Sequence, residues 1–183
     1  LGGDGTILEA ARKYHELGST ILGLNLGNVG FLASVREEKD FLKTLDNFFK
    51  GKYGIIERMM LSTQVKRKGK TIFTTEALNE IVIKNPLGMV ELEARVADPR
   101  SADPRSARHG IAIGRSQAEG SGPLRPSDSV ASEASHPVKN VRGTGLLVST
   151  ATGSTAYNLS AHGPIVMPDI KCFVITELLD HSI

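Results

Sequence analysis

Cysteine is nearly missing from this chain of 183 residues, where Cys172 stands alone. One thiol excludes an internal disulfide and any cysteine-built zinc site, and it suits a reducing compartment. Tryptophan is absent and aromatic residues make up 5%, so there is no basic patch interleaved with aromatics for stacking nucleic-acid bases. Charge of one sign is scarce as well. Lys and Arg number 22 against 20 Asp and Glu, a formal +2, too slight to argue for nucleic acid or an acidic membrane surface. No apolar run is long enough to span a bilayer, and no secretory leader is visible. A cytoplasmic protein that engages neither membrane nor nucleic acid is the expectation. With 40% hydrophobic residues, the chain can build one domain or two small ones.

What the sequence does have is glycine in a telling place. Leu1-Gly2-Gly3-Asp4-Gly5-Thr6 sets three glycines around one carboxylate. Ile7, Leu8, Ala11 and Tyr14 come next with helical spacing. Gly lets a ligand approach the backbone closely, and the N–H groups at a helix start attract phosphate. Asp4 as a bare charge repels phosphate, so it calls for another task, as proton acceptor or magnesium partner. The plainer alternative is a capping box between Thr6 and Glu9, with Asp4 an ordinary turn residue. A phosphate loop ordinarily comes after a buried strand, and here only Leu1 precedes it. The chain therefore reads as cut at its front.

Thr6 to Leu17 reads as a helix closed by Gly18, and Thr20 to Leu24 as a buried strand. Asn25-Leu26-Gly27-Asn28-Val29-Gly30-Phe31-Leu32 is a second Gly/Asn loop. Glu37 to Lys50 carries Phe41, Leu42, Leu45, Phe48 and Phe49 on one helical face, with Gly51 as the stop. Residues 1–52 thus suggest an incomplete, Rossmann-like α/β unit with its loops at one sheet edge. From Tyr53 the texture changes. Leu61–Arg67 and Thr71–Thr75 flank Lys68-Gly69-Lys70 as a hairpin; Ala77–Lys84 and Met89–Val96 read as further strands. Residues 53–183 are therefore expected to form a mainly antiparallel, β-rich second domain.

Residues 97–140 interrupt it. Ala-Asp-Pro-Arg-Ser occurs twice in succession, and Ser, Ala, Gly, Pro and Arg dominate the residues after that repeat. Such a segment buries too little apolar surface to offset its ordering entropy. It reads as a disordered insertion or as sequence foreign to the fold. Leu146-Leu147-Val148 restores a strand core, Asn158–Ala161 begins a helical turn, and Ile170–Ile175 is another strand.

Two polar features stand out in the second part. Asn79 and Glu80 interrupt an apolar strand, and burying such groups without partners costs about 1–3 kcal/mol each. They face a ligand or form a structural hydrogen-bonded pair. The run Ser149 to Thr155 is rich in hydroxyls, which taken alone fits a loop or helix cap.

Taken in order, Gly2-Gly3-Asp4-Gly5-Thr6, the Asn25–Leu32 loop, Asn79-Glu80 and Thr152-Gly153-Ser154-Thr155-Ala156-Tyr157 closely resemble the NAD kinase family. The resemblance covers residues 1–96 and 141–173. It implies an α/β domain and a β-rich domain with the site between them. The implied reaction moves the γ-phosphoryl of ATP, or of polyphosphate, to the adenosine ribose 2′-hydroxyl of NAD. It implies Mg²⁺ as cofactor, with no protein metal ligand assigned, and a homo-oligomer in intact members. Asp4 would accept the hydroxyl proton, and Gly2, Gly3, Gly5 and Thr6 would form the phosphate loop. Asn79 and Glu80 would hold ribose hydroxyls, with Asp4 and Gly5 also at the NAD. Phe31 would contact the NAD rings, and Thr155, Ala156, Tyr157 and Ser160 the adenosine side.

The chain departs from the family pattern in three respects. Thr144 stands between two glycines where the family has an Asp that contacts the dinucleotide, often from a neighbouring subunit. His162 stands where the family usually has Gly. Family members also extend beyond both ends, so this chain is expected to be weakly active or inactive as it stands. A lipid kinase of the diacylglycerol or sphingosine type shares the Gly-Gly-Asp-Gly-Thr loop and is the alternative enzyme. A non-catalytic nucleotide-binding remnant is the other.

Overall fold

Gly3, extended at φ −87° and ψ −173°, starts helix α1 (Asp4–Tyr14). A single 3₁₀ turn, His15–Leu17, continues it to Gly18, which closes it in the left-handed conformation. The computed structural model describes residues 1–27, 30–97, 111–115 and 135–178. The Thr6–Glu9 capping box is not formed: Gly3 is the N-cap, and no side chain caps the helix. Asp4 already occupies the first turn, where a carboxylate complements the helix dipole. Helix α2 (Phe41–Phe49) comes after a 3₁₀ turn at Glu38–Asp40.

The expected strand Thr20–Leu24 contracts to a single parallel bridge between Leu24 and Val35. Each side of Leu24 has one rung. Gly2 N–H donates to the Leu24 carbonyl at 3.0 Å, while Asn25 N–H donates to Val35 and Val35 N–H to Gly23. A ladder one rung long on either side does not make a strand, yet it ties the glycine loop to the second loop.

The remainder is antiparallel. Strands β1 (Leu61–Arg67) and β2 (Lys70–Ala77) form the expected hairpin. Its turn residues Lys68 and Gly69 both have positive φ, 51° and 76°, the conformation whose twist suits a two-residue hairpin. Strands β3 (Glu80–Lys84) and β4 (Val90–Ala97) come next. After them come β5 (Ile111–Arg115), β6 (Ser135–Gly143), β7 (Gly145–Thr150) and β8 (Phe173–Leu178). Between β7 and β8 lie a 3₁₀ turn at Thr152–Thr155 and the short helix α3 (Tyr157–Ser160). One sheet runs β3-β7-β8 and another β5-β4-β6. Leu92 and Ala94 of β4, Val141 of β6 and Leu146 of β7 are the core between them, flanked by Val90, Ile113 and Ile175. All six residues of β7 are buried, as expected of a central strand covered on both faces.

The structure departs from the sequence-based expectations at three further places. Residues 111–115 and 135–140, inside the stretch expected to be disordered, are strands that flank β4. Backbone pairing to β4 organises these two segments, and Ile113 adds to the core. The rest of that stretch lies outside the described residues, as do Asn28, Val29 and His181-Ser182. The last strand begins at Phe173 instead of Ile170. Asn79 lies outside any strand, in a bend between β2 and β3. Among the described residues, no helix is long and apolar enough to cross a membrane.

The exit from α3 explains one departure from the family pattern. His162 has φ 63°, a left-handed conformation in which a Cβ crowds the carbonyl. Glycine is free of that penalty but loses more chain entropy on folding. His162→Gly should therefore raise stability by up to about 1 kcal/mol, read from urea unfolding. A loss of about 1 kcal/mol or more would show that the imidazole contributes a contact that outweighs the strain.

Candidate functional site

Asp4 sits in the first turn of α1 and reaches across to the second loop. Its Oδ2 accepts the Phe31 N–H at 2.9 Å and its Oδ1 the Leu32 N–H at 3.1 Å. Gly30 makes this possible, since a Cβ there would lie 2.8 Å from Asp4 Oδ1. Asn25 folds the start of the loop by accepting the Gly27 N–H at 3.1 Å and donating to the Gly27 carbonyl at 2.9 Å. The carboxylate is thus fixed at both oxygens, and the Phe31 ring stands out from the loop, 59% exposed.

The other half of the site hangs from the end of β7. Thr150 N–H donates to the Asn79 carbonyl at 2.8 Å; the single hydrogen of the Ser149 hydroxyl is shared between that carbonyl at 3.3 Å and the Thr150 carbonyl at 2.9 Å. The Thr150 hydroxyl donates to the Leu78 carbonyl at 2.6 Å and accepts the Gly153 N–H at 3.0 Å. Gly153 presses on the same bend: any Cβ there would run into the Asn79 carbonyl. The hydroxyl-rich run is therefore a clamp on the backbone of residues 78–79.

Between the two halves lies a cleft of about 430 Å³. Gly5, Leu8, Glu9 and Arg12 of α1 line one wall; residues 75–80 line the other. His15, beyond α1, pairs with Glu76 of β2 at the far end, and its Nδ1 lies 3.0 Å from the Arg12 carbonyl. Asn79 Oδ1 and Glu80 Oε2 are buried with no hydrogen-bond partner. Burial pushes the Glu80 carboxyl above the ordinary 4.5, and a backbone hydrogen bond from Tyr157 pulls the other way. Among the described residues, no three His, Cys, Asp or Glu side chains are grouped to hold a metal ion.

Family models agree with this anatomy. Residues 1–53 match the ATP-NAD kinase N-terminal domain, and residues 129–183 match the ATP-NAD kinase C-terminal domain. The NAD kinase of Symbiobacterium thermophilum is 35% identical over 184 residues, an alignment of the whole chain with 52% of that protein. The NAD kinase of Geobacter sulfurreducens is 33% identical over 185 residues, again the whole chain and 52% of the relative. The chain belongs to the NAD kinase family. It spans about half the length of these curated relatives. A bifunctional NADP phosphatase/NAD kinase of Methanocaldococcus jannaschii is 35% identical over 97% of the chain and 25% of that protein. Among solved structures, an NAD kinase from Archaeoglobus fulgidus in complex with ATP has TM-score 0.62 at 25% identity, over 99% of this chain and 55% of that one. Yeast NADH kinase complexed with NADH has TM-score 0.68 at 24% identity, over 99% of this chain and 43% of that one, a likeness of fold. These NAD kinases share the fold class read from the sequence, an α/β part and then an antiparallel β-rich part.

Apart from Asp4 and Phe31, which meet each other at the second loop, the residues singled out from the sequence fall into three groups. Gly5, Asn79 and Glu80 line the cleft directly. Gly2, Gly3 and Thr6 surround the start of α1 next to it, with the Thr6 N–H bonded to the Gly3 carbonyl at 3.1 Å. Thr155 and Ala156 are half-buried, whereas Tyr157 and Ser160 are exposed. Of these, Tyr157 reaches Glu80, through its backbone. Several cleft residues escaped the sequence reading: Leu8, Glu9 and Arg12 share a helical face with Gly5, a periodicity that was available. Glu76 and its partner His15 are distant in sequence and carried no signal. Thr144 lies at the Gly145 end of β7, opposite the Ser149 end that pairs with Glu80. Its N–H and hydroxyl both donate to the Leu178 carbonyl, at 2.9 and 3.0 Å.

Gly153→Ala should cost about 1–3 kcal/mol, because its Cβ would meet a carbonyl already held by the Thr150 N–H. Gly3→Ala, with open space around it, should change unfolding stability far less. Equal effects in urea would show that the bend moves freely. Glu80 offers a second test, because its raised pKa means that the folded chain holds this proton more tightly than the unfolded chain. Ionised Glu80 therefore subtracts from stability at neutral pH. Glu80→Gln should raise the Tm at about pH 7, and the gain should fade as the pH drops through the carboxyl range to below 4.5. A Tm lowered at neutral pH would mean that the charge is paired.

Proposed function

We propose that this chain carries the phosphoryl-transfer site of an NAD kinase, with ATP as donor and the adenosine ribose 2′-hydroxyl of NAD as acceptor. One observation carries the reading: two buried side-chain oxygens, Asn79 Oδ1 and Glu80 Oε2, stand without partners on a cleft whose other wall begins at the Gly2–Gly5 loop. A ribose offers two adjacent hydroxyls, which are the donors such a pair lacks. The 2′-oxygen attacks the γ-phosphorus, the bond from that phosphorus to the β,γ-bridging oxygen breaks, and ADP leaves. The hydroxyl proton passes to Asp4. Its two N–H bonds occupy only part of the acceptor capacity of a carboxylate, which has about four lone-pair sites. Gly2, Gly3, Gly5 and Thr6 face the donor phosphates. Phe31 contacts the NAD rings, and Thr155, Ala156, Tyr157 and Ser160 the adenosine.

The described residues do not form a metal cage, so Mg²⁺ would arrive on the donor phosphates, as is common for this ion. Bound there, it would neutralise charge on the transferred group. Self-association, a cytoplasmic location and the use of polyphosphate are carried over from the family and belong to the same proposal. The lipid-kinase alternative is without support: the matched models are ATP-NAD kinase domains, and each relative named above is an NAD kinase, a bifunctional NADP phosphatase/NAD kinase or an NADH kinase.

The first test is NADP formation from NAD and ATP with Mg²⁺, run beside NAD calorimetry and a diacylglycerol control. Binding without turnover identifies a nucleotide-binding protein; neither binding nor turnover overturns the proposal. In the active protein, Asp4→Asn should lower kcat by about 10²–10⁴-fold. Asn retains one acceptor for the 30–32 loop but turns an amide N–H₂ toward the other backbone donor, so NAD affinity should fall less than about tenfold. A kcat within a few-fold of wild type, with the fold intact, would remove the proton from Asp4 and leave Glu80 to accept it.

A further inference from the structure

Asn158 is fully buried, and each end of its amide reaches a different part of the chain. Nδ2 donates to the Ser154 carbonyl at 3.1 Å and to the Pro164 carbonyl at 2.9 Å. Oδ1 accepts the Thr176 hydroxyl of β8 at 2.6 Å. Gly163 lies against the same amide, where a Cβ would collide with Oδ1, and its N–H donates to the Asn158 carbonyl at 2.8 Å. Both amide hydrogens and the amide oxygen are in use, so this is a satisfied buried group that needs no ligand. An apolar side chain would fill such a position at lower desolvation cost. The amide instead specifies one geometry for the turn around it.

That geometry bears on the site. Thr176 pairs with Leu147 of β7, two residues before Ser149, which pairs with Glu80. The Asn158–Thr176 bond therefore ties α3 to the sheet from which Glu80 projects. The residue before Asn158 is Tyr157, whose backbone meets the Glu80 carboxyl. We infer that Asn158, anchored by Thr176, is a positioning residue: it sets the register of the Thr155–Ser160 turn, and so of the Tyr157 backbone, against the Glu80 edge of the cleft. The ligand served, NAD, rests on the function proposed for the cleft; the register of Tyr157 against Glu80 does not.

Thr176→Val removes the hydroxyl donor at constant shape, and Thr176→Ser keeps it. The Tyr157 amide resonance should track the titration of Glu80 in wild type and in Thr176→Ser, and should lose that dependence in Thr176→Val. Glu9 and Arg12 of α1 and Glu76 of β2 line the same cleft, and Glu80→Gln identifies which part of the titration belongs to Glu80. NAD affinity by calorimetry should fall about ten- to a hundredfold in Thr176→Val and recover in Thr176→Ser. A Thr176→Val protein with lowered Tm but unchanged Tyr157 titration and NAD affinity would overturn the inference. So would an Asn158 side-chain amide that exchanges freely with solvent in the wild-type chain, a measurement that needs no variant to fold. If the Tyr157 titration behaves as expected while the wild type binds no NAD, the positioning stands and the nucleotide reading fails.

Discussion

The Asn79 carbonyl is held by the Thr150 N–H at 2.8 Å, with the Ser149 hydroxyl 3.3 Å away and Gly153 pressed against it. This fixed carbonyl determines where the bend between β2 and β3 can go, and hence where the side chains of Asn79 and Glu80 emerge. Leaving buried oxygens unpartnered is costly, on the order of 1–3 kcal/mol for each group. A loose bend would relax until Asn79 and Glu80 found water or each other. The clamp removes the backbone part of that escape, because moving the bend would break the bonds to the Leu78 and Asn79 carbonyls. The end of β7 thus fixes the backbone from which the pair projects.

The two carboxylates beside the cleft are treated in opposite ways. Asp4 receives a backbone N–H on each oxygen, which fixes its orientation and draws the 30–32 loop to the start of α1. Glu80 is desolvated, with a single backbone donor to counter the effect. The contrast also depends on the N-terminal loops acting as one body, which the Gly2–Leu24 and Leu24–Val35 contacts achieve without a full strand.

Much of this was legible in the residues. The hairpin at Lys68-Gly69 came from turn chemistry, β7 from Leu146-Leu147-Val148, and the two loops from their glycines and Asn25. Asn79 and Glu80 were visible because polar residues there break an apolar run. Other features were not readable, for physical reasons. Whether Thr20–Leu24 becomes a strand depends on how many rungs its neighbours supply, a non-local property. The strands at 111–115 and 135–140 owe their order to pairing with β4, which composition does not encode. The hydroxyls of Ser149 and Thr150 suggested a loop or cap, whereas their partners, the carbonyls of Leu78 and Asn79, lie about 70 residues away in the chain. The His15–Glu76 pair is invisible for the same reason.

The satisfied polar groups give the unsatisfied ones their meaning. Ser149, Thr150, Ser154, Asn158 and Thr176 are all buried, and each has hydrogen-bond partners. Among the described residues, three buried side-chain oxygens lack a hydrogen bond: Asn79 Oδ1, Glu80 Oε2 and Glu177 Oε1. The last has the Lys139 ammonium at 2.7 Å and is not bare. Poor packing would scatter unsatisfied groups through the region, but the two that remain are adjacent in sequence, on one edge of one cleft. A fold that satisfies its buried polar groups so fully around β7 and α3 has the means to satisfy these two as well. Their adjacency on one edge of one cleft is the observation on which the function proposed for that cleft rests.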